Sequence, residues 1–391
     1  METYDVIIVG AGPAGLSTAL HLQQMSPDLA SRTVILEKAR HPRPKLCGGG
    51  VLPDGEMVLA DLGLDVAEVP SMEAVFSCFV FEDRGACLRG TAPYAFRVFR
   101  RDEFDAWLAR KAMERGLDLR EEIPVIGVVP GDPYVEIITA RGTYRARVVV
   151  AADGAHSRIR RVIEDRRRSH YIYALSTVTP PLPDGSSHRP EQAYFDFTAI
   201  SRGIPGYIWD FPTQVEGQPM RSWGIYDSNT GSRDPRRKQE LLAAEMARQG
   251  YRLEEFPLQG ESVYAFSPRN VFSAPHILLV GDALGVEKMF GEGVSPAIGC
   301  GRIAVEAIVD AFAKGDFSFK DYRRRVLTSE VGKALTARVF LAEVLYRVRN
   351  PVVQRFVWWR MGRLMKWGVQ HILANWAERG RKAQGKPHRE G

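Results

Sequence analysis

The sequence predicts an α/β fold: a doubly wound domain interleaved with a mixed-sheet domain, then a helical C-terminal region. Three observations predict it. Short, continuously apolar runs at residues 4–9, 148–151 and 277–280 read as buried parallel strands. The first is followed by Gly10-Ala-Gly-Pro-Ala-Gly15 and a helix pattern from Leu16 to about Gln24. The segments between these runs carry alternating strand patterns, so the chain leaves the parallel sheet and returns to it. At 391 residues, 45% hydrophobic and 26% charged, the chain can bury a large core, which excludes disordered, collagen-like and coiled-coil classes.

The elements follow in order. Residues 33–37 supply a second strand and complete a βαβ unit. Residues 38–56, rich in Pro, Gly and basic side chains, read as loop. Residues 74–99 suggest a twisted hairpin about Asp83-Arg84-Gly85. Arg101 to Gly116 is a helix pattern closed by glycine. Residues 125–129, 135–138 and 143–147 suggest a small antiparallel sheet, before residues 148–151 return as a separate buried strand. Residues 171–230 hold aromatic-rich strands, 234–250 a polar helix, and Val294 to Phe312 a helix of small residues. From Asp321 the chain reads as helical with an interruption at Pro351, and 380–391 as a frayed polar end.

Charge and cysteine bound the partners. The net charge of +6 is uneven: residues 331–391 carry +10 and the rest −4. A basic tail on a mildly acidic body bears on partners, not on fold. After Pro351, Trp358, Met361, Met365, Val369, Ile372 and Trp376 fall on one stripe of a helix, with Arg355, Arg360, Arg363 and Lys366 largely opposite. That pattern suits either an anionic membrane surface or packing on the protein's own core. Four scattered cysteines argue against a disulfide framework, and no pair has zinc-site spacing, so no metal is expected. The acidic N-terminus does not read as a signal peptide, and no apolar run is long enough to span a bilayer. The expectation is a cytoplasmic chain, peripheral at most, without nucleic acid as a partner and of open oligomeric state.

The βαβ unit carries the first chemistry. Gly10 permits the turn, Gly12 leaves room for a pyrophosphate, and Gly15 lets the helix pack on the sheet. Pro13 and Ala14 open the helix, whose N-terminus faces the phosphates. Glu37, with Lys38 beside it, ends the second strand, where a carboxylate accepts hydrogen bonds from a ribose. These residues define a Rossmann-like dinucleotide site and leave NAD and FAD both open.

Further segments are Ala152-Asp153-Gly154, Gly281-Asp282-Ala283, Gly291-Glu-Gly293-Val294 and Arg101-Asp-Glu-Phe104-Asp105. Together with the βαβ unit, this set resembles the FAD-dependent hydroxylase-like flavoproteins over roughly residues 4–312. The resemblance implies FAD, with Asp282 on the ribityl chain, Gly291 and Gly293 at the pyrimidine end, and Arg101 reaching the cofactor. A helix N-terminus at that end would stabilise an anionic reduced ring. Glu287-Lys288-Met289-Phe290 is more polar than the small apolar stretch usual there.

Two more segments, Pro44-Lys45-Leu46-Cys47-Gly48-Gly49-Gly50 and Tyr207-Ile-Trp209-Asp-Phe211-Pro212, resemble the geranylgeranyl reductase family. That resemblance implies reduction of carbon–carbon double bonds in an isoprenoid-type lipid by hydride from reduced FAD. Electrons would come from NAD(P)H or a small redox protein. Alternation sets Tyr207, Trp209 and Phe211 on one strand face, an apolar wall for the lipid or simply core packing. Cys47 is either the proton donor to the second alkene carbon or a small buried apolar residue. Lys45 reads as a solvated loop lysine, although flavin halogenases need a lysine between flavin and substrate. A monooxygenase, a halogenase and a non-catalytic flavin-binding protein are the competing readings. The implied division is residues 1–75, 100–165 and 276–320 for FAD, 76–99 and 166–275 for substrate, and 321–391 for the helical region.

Overall fold

The computed structural model describes residues 1–90, 93–164, 170–229 and 235–383. Its centre is an eight-stranded sheet in which Glu2–Val9 and Gly142–Ala151 pair in parallel along their length. Thr33–Leu36 and Asp118–Arg120 extend it in parallel on one side, and Ile277–Leu279 on the other. The strand cores are continuous valine and isoleucine runs because successive side chains, which point to opposite faces, are buried on both. The expected separate strands at 143–147 and 148–151 are one strand. Its first half carries the antiparallel pair Val125–Val129 and Val135–Thr139, and its second half joins only parallel neighbours.

The first helix, Pro13–Met25, starts three residues before its apolar periodicity does, with proline at a first-turn position where its missing N–H costs no bond. It packs on Val294–Lys314 through small residues. A Cβ on Gly301 would lie 2.7 Å from Ser17 Oγ, which itself donates to Ile298 O at 2.7 Å. The stretch 38–56 is not all loop: Gly50–Val51 is a short strand and Pro53–Asp61 a helix, with Gly55 tight against Ser295.

A seven-stranded sheet stands beside the first. Its order is Gln259–Tyr264, Tyr171–Thr179, Gln218–Asp227, Gly206–Val215, Gln192–Asp196, Phe76–Phe81 and Arg84–Arg89. All neighbours are antiparallel except Gln192–Asp196 with Phe76–Phe81. The expected hairpin therefore ends at Arg89. Phe96–Phe99 joins Gly50–Val51 and Ser71–Ala74 in a three-stranded sheet between the other two. Four scattered cysteines argue against a disulfide framework, yet one pair does form: Cys78 and Cys87 face each other across the hairpin and form a disulfide. Strand register brings them together, which spacing alone does not reveal. Cys47 and Cys300 are free.

The C-terminal region has helices Tyr322–Thr328, Glu330–Leu345, Pro351–Arg360, Gly362–Gly368 and Trp376–Ala383, with a π-turn at Val369–Leu373. Pro351 does not interrupt a helix. It opens one, behind an Asn350 side chain that accepts the Val352 N–H at 2.9 Å. The single stripe expected from Trp358 to Trp376 is broken at Met361 and again after Gly368. Its two tryptophans are buried, Trp358 stacked on Phe197 at 4.0 Å and Trp376 within the first core. Arg355 is paired with Glu82. The two ends of that stripe therefore belong to the interior, while Ile372 within it is exposed. Tyr322, Val326 and Leu335 join the core of the parallel sheet, while Ala342, Leu345, Tyr346 and Trp358 join that of the aromatic sheet. Helix continues to Ala383 where fraying is expected; residues 384–391 lie outside the described residues.

Candidate flavin and substrate site

A cavity of about 770 Å³ runs from the first glycine turn to the aromatic sheet. That is within the roughly 300–1,000 Å³ of cofactor and ligand sites. Gly10, Gly12, Pro13, Ala14, Glu37, Lys38, Arg101, Asp153, Gly154 and Asp282 line one end. Cys47, Gly48, Gly291, Gly293 and Val294 line the middle, and Tyr207 and Trp209 the far wall. Of the residues singled out from sequence, only Gly15 and Gly281 do not line it. Both are packing glycines: a Cβ on Gly15 would sit 1.9 Å from Gly10 O, and one on Gly281 2.5 Å from the Ala14 Cβ.

The glycine end fits a pyrophosphate. A Cβ on Gly12 would meet only Arg43 Nη2, at 3.6 Å, so the space above this backbone is open. Arg43 was not legible as a site residue, since one arginine in a proline-rich loop carries no spacing signal. Its buried Nε lies 3.6 Å from Glu37 Oε1 and makes no hydrogen bond. A buried N–H without an acceptor, beside an open helix N-terminus, suits an anion. Glu37 is not a free ribose acceptor only. Its oxygens also accept the N–H groups of Ala11 at 2.7 Å and Ala39 at 3.0 Å, which pins the glycine turn to the second strand.

Asp153 is a second incomplete group. Its Oδ2 accepts Arg158 N–H at 2.7 Å, while its buried Oδ1 has no partner. Burial pushes this carboxyl above the usual carboxylate range, against hydrogen bonds from Ser157, Ile159 and Arg158. Arg101 is held by a two-pronged pair to the fully buried Asp105, both contacts 2.9 Å, within Coulombic reach of Cys47 and Asp282. These groups fit FAD. Gly12, Arg43 and the helix N-terminus would hold its phosphates, and Asp282 with Gly291 and Gly293 its ribityl and ring end.

The polar segment before Gly291 has a structural role. Glu287 is fully buried and accepts the N–H groups of Phe290 at 3.0 Å and Glu292 at 3.1 Å, besides that of Met289. Three buried tyrosines grip the same loop from outside. Tyr207, Tyr226 and Tyr346 donate to the carbonyls of Phe290, Lys288 and Met289. Arg338 then joins loop to tail, donating to Glu292 Oε2 at 2.8 Å and twice to Leu373 O. Asp54 accepts the N–H groups of Asn375 and Ala377, its carboxyl pushed up to about 6 by burial. The partners of the tyrosines, Arg338 and Asp54 were not visible from sequence, because each lies far along the chain.

The far wall is aromatic. Tyr207, Trp209 and Phe211 share one strand face, and Phe195 packs against Phe79, Phe211 and Tyr207 with ring centroids 4.9–5.3 Å apart. Gly224 makes room for Trp209, whose ring would come within 2.2 Å of a Cβ there. Gly48 lies under the same wall, its Cβ position 3.4 Å from the Phe211 ring. Cys47 is exposed at the cavity, and its Sγ accepts the Gly49 N–H at 3.3 Å, so the buried apolar reading does not hold. Lys45 is not a solvated loop lysine either. It is part-buried and paired with Glu261 across the cavity mouth.

The chain matches the FAD binding domain family over residues 3–286. It is 28% identical over 380 residues to digeranylgeranylglycerophospholipid reductase 2 of Methanopyrus kandleri, covering 89% of this chain and 88% of that one. A geranylgeranyl bacteriochlorophyll reductase-like protein from Thermoplasma acidophilum shares the fold with a TM-score of 0.77 at 22% identity, over 97% of this chain and 96% of that one. The halogenase PltM in complex with FAD shares it with a TM-score of 0.69 at 16% identity, over 97% of this chain and 85% of that one.

Proposed function

The chain belongs to the FAD binding domain family and is an FAD-dependent oxidoreductase, and from that premise we propose that it reduces isolated carbon–carbon double bonds of an isoprenoid-type lipid. The observation that carries this reading is the continuity of one cavity from the phosphate cradle to a wall of Phe, Tyr and Trp. Reduced FAD, when bound, supplies a hydride to one alkene carbon. Tyr207, Trp209 and Phe211 hold the chain of the lipid and exclude water from it. The Tyr207 hydroxyl is committed to Phe290 O, so Tyr207 orients and does not supply a proton. Cys47 Sγ is the donor to the second carbon, being free, exposed to the cavity and set beside the glycine run. Electrons reach the flavin from NAD(P)H or a small redox protein.

Product mass tests this. Dithionite-reduced protein incubated with geranylgeranyl lipid should add about two mass units per reduced bond, hydride plus proton, with and without oxygen. A product that gains oxygen or halogen overturns the reading. Trp209→Ala should lower kcat/KM for the lipid at least about tenfold while FAD stays bound, since lost apolar contact is felt in substrate use. Cys47→Ala should slow alkene reduction and leave reduction of the flavin unchanged. Normal turnover by Cys47→Ala would place the proton donor elsewhere.

A further inference from the structure

Nine of the sixteen large apolar side chains exposed among the described residues lie between residues 340 and 372. Helix Glu330–Leu345 turns out Phe340, Leu341 and Val344. Helix Pro351–Arg360 turns out Val352, Val353 and Phe356. Leu364, Trp367 and Ile372 follow on the next helix and π-turn. Phe340 is 73% exposed, Phe356 60% and Trp367 52%, values unusual for phenylalanine and tryptophan in a chain with two large cores to fill. The opposite edges are satisfied. Gln354 and Trp358 are buried, and Ala342 and Leu345 pack into the aromatic core. The outward edges are therefore a separate surface, which shares only Ile372 with the stripe read off the sequence.

Its charge is one-sided. Arg349, Arg360, Arg363 and Lys366 are exposed, and no acidic side chain among the described residues pairs with them. The one acid in this stretch, Glu343, is held by Lys288 and Arg347. Aromatic and aliphatic side chains beside uncompensated cations match an anionic lipid interface, where the apolar groups enter the acyl boundary and the cations meet headgroups. A second copy of this chain is a poorer match. A two-fold contact would press this basic face against itself.

The surface also adjoins the cavity. Lys366, Val369, Gln370 and Leu373, on the same helix and π-turn as Leu364, Trp367 and Ile372, line its wall. We infer that helices Glu330–Leu345, Pro351–Arg360 and Gly362–Gly368 dock on an anionic membrane surface. A lipid tail then enters the cavity past the π-turn without crossing water. The docking stands on exposure and charge; only the entry route rests on the isoprenoid reading.

Co-sedimentation of the full chain with phosphatidylcholine vesicles, with and without phosphatidylglycerol, tests it. Binding should rise at least about tenfold with the anionic lipid and fall with salt. Leu364→Ser/Trp367→Ser should abolish it, and Arg360→Glu/Arg363→Glu should remove its dependence on phosphatidylglycerol. Both variants should keep bound FAD and reduce a short, water-soluble isoprenoid alcohol as before, while losing activity on geranylgeranyl lipid embedded in vesicles. Equal binding by the variants and the parent overturns the docking. So does a parent chain that ignores vesicles but dimerises through the same residues. If vesicle binding behaves as stated and neither substrate is reduced, docking stands and the isoprenoid reading falls.

Discussion

Gly12→Val should fold and lose its flavin, whereas Gly10→Ala and Gly15→Ala should fail to fold. The three glycines fall within six residues, Gly10 and Gly12 in the turn and Gly15 in the first turn of the helix, and the atoms facing them differ. A Cβ on Gly10, at φ +106°, would lie 2.2 Å from Ala152 O, and one on Gly15 would lie 1.9 Å from Gly10 O. Both contacts are with backbone that cannot yield without opening the sheet. The Cβ of a residue at 12 meets nothing closer than Arg43 at 3.6 Å, so the free protein tolerates it. A valine there fills the space a pyrophosphate needs. FAD affinity should fall at least a hundredfold, about 2.7 kcal/mol, with the far-ultraviolet spectrum and melting of the apo-protein unchanged. Flavin absorbance after gel filtration reads the first effect and circular dichroism the second. A yellow Gly12→Val protein would mean that the turn does not face the cofactor.

Arg338→Ala should destabilise the chain by about 3–5 kcal/mol and loosen flavin binding with it. The guanidinium is 2% exposed and stands 2.8 Å from Glu292 and 3.9 Å from Glu287, so removing it leaves buried carboxylates facing each other unpaired. It also frees Leu373 O, and with it the hold on the π-turn. Arg338→Met combined with Glu292→Gln should recover part of the loss, because the uncompensated charge goes as well. Denaturant midpoints measure the stability, and the rate of flavin release measures the coupling to the Gly291–Gly293 loop. An Arg338→Ala midpoint equal to the parent's would show that the loop is held by the tyrosine hydroxyls and Glu287 alone.

The parallel sheet was legible because its strands are uninterrupted apolar runs and its turns need glycine. Part of the candidate site was legible for the same reason: Gly10, Gly12, Gly15 and Glu37 follow the spacing of one strand–turn–helix–strand unit, whereas Asp153 and Asp282 were reached only through the family resemblance. What the sequence hid depends on distant partners. Cys78 meets Cys87 through hairpin register. Arg43 reaches the cradle because its loop folds back over Glu37, and Arg338 is joined to Glu292 from 46 residues away. The C-terminal stripe failed for a related reason. Periodicity reports that one side of a helix is apolar, not which surface it meets, and here Trp358 and Trp376 are drawn inward while Phe356 and Trp367 remain outside.

The most direct test of the central reading is a single anaerobic turnover. Protein reduced with one equivalent of dithionite is mixed with geranylgeranyl lipid under argon, and flavin absorbance is followed alongside the double bonds consumed. The account predicts that the yellow of oxidised flavin returns without oxygen, with one double bond lost per flavin reoxidised. Flavin that stays reduced until oxygen is admitted, with a product carrying added oxygen or none at all, would contradict it.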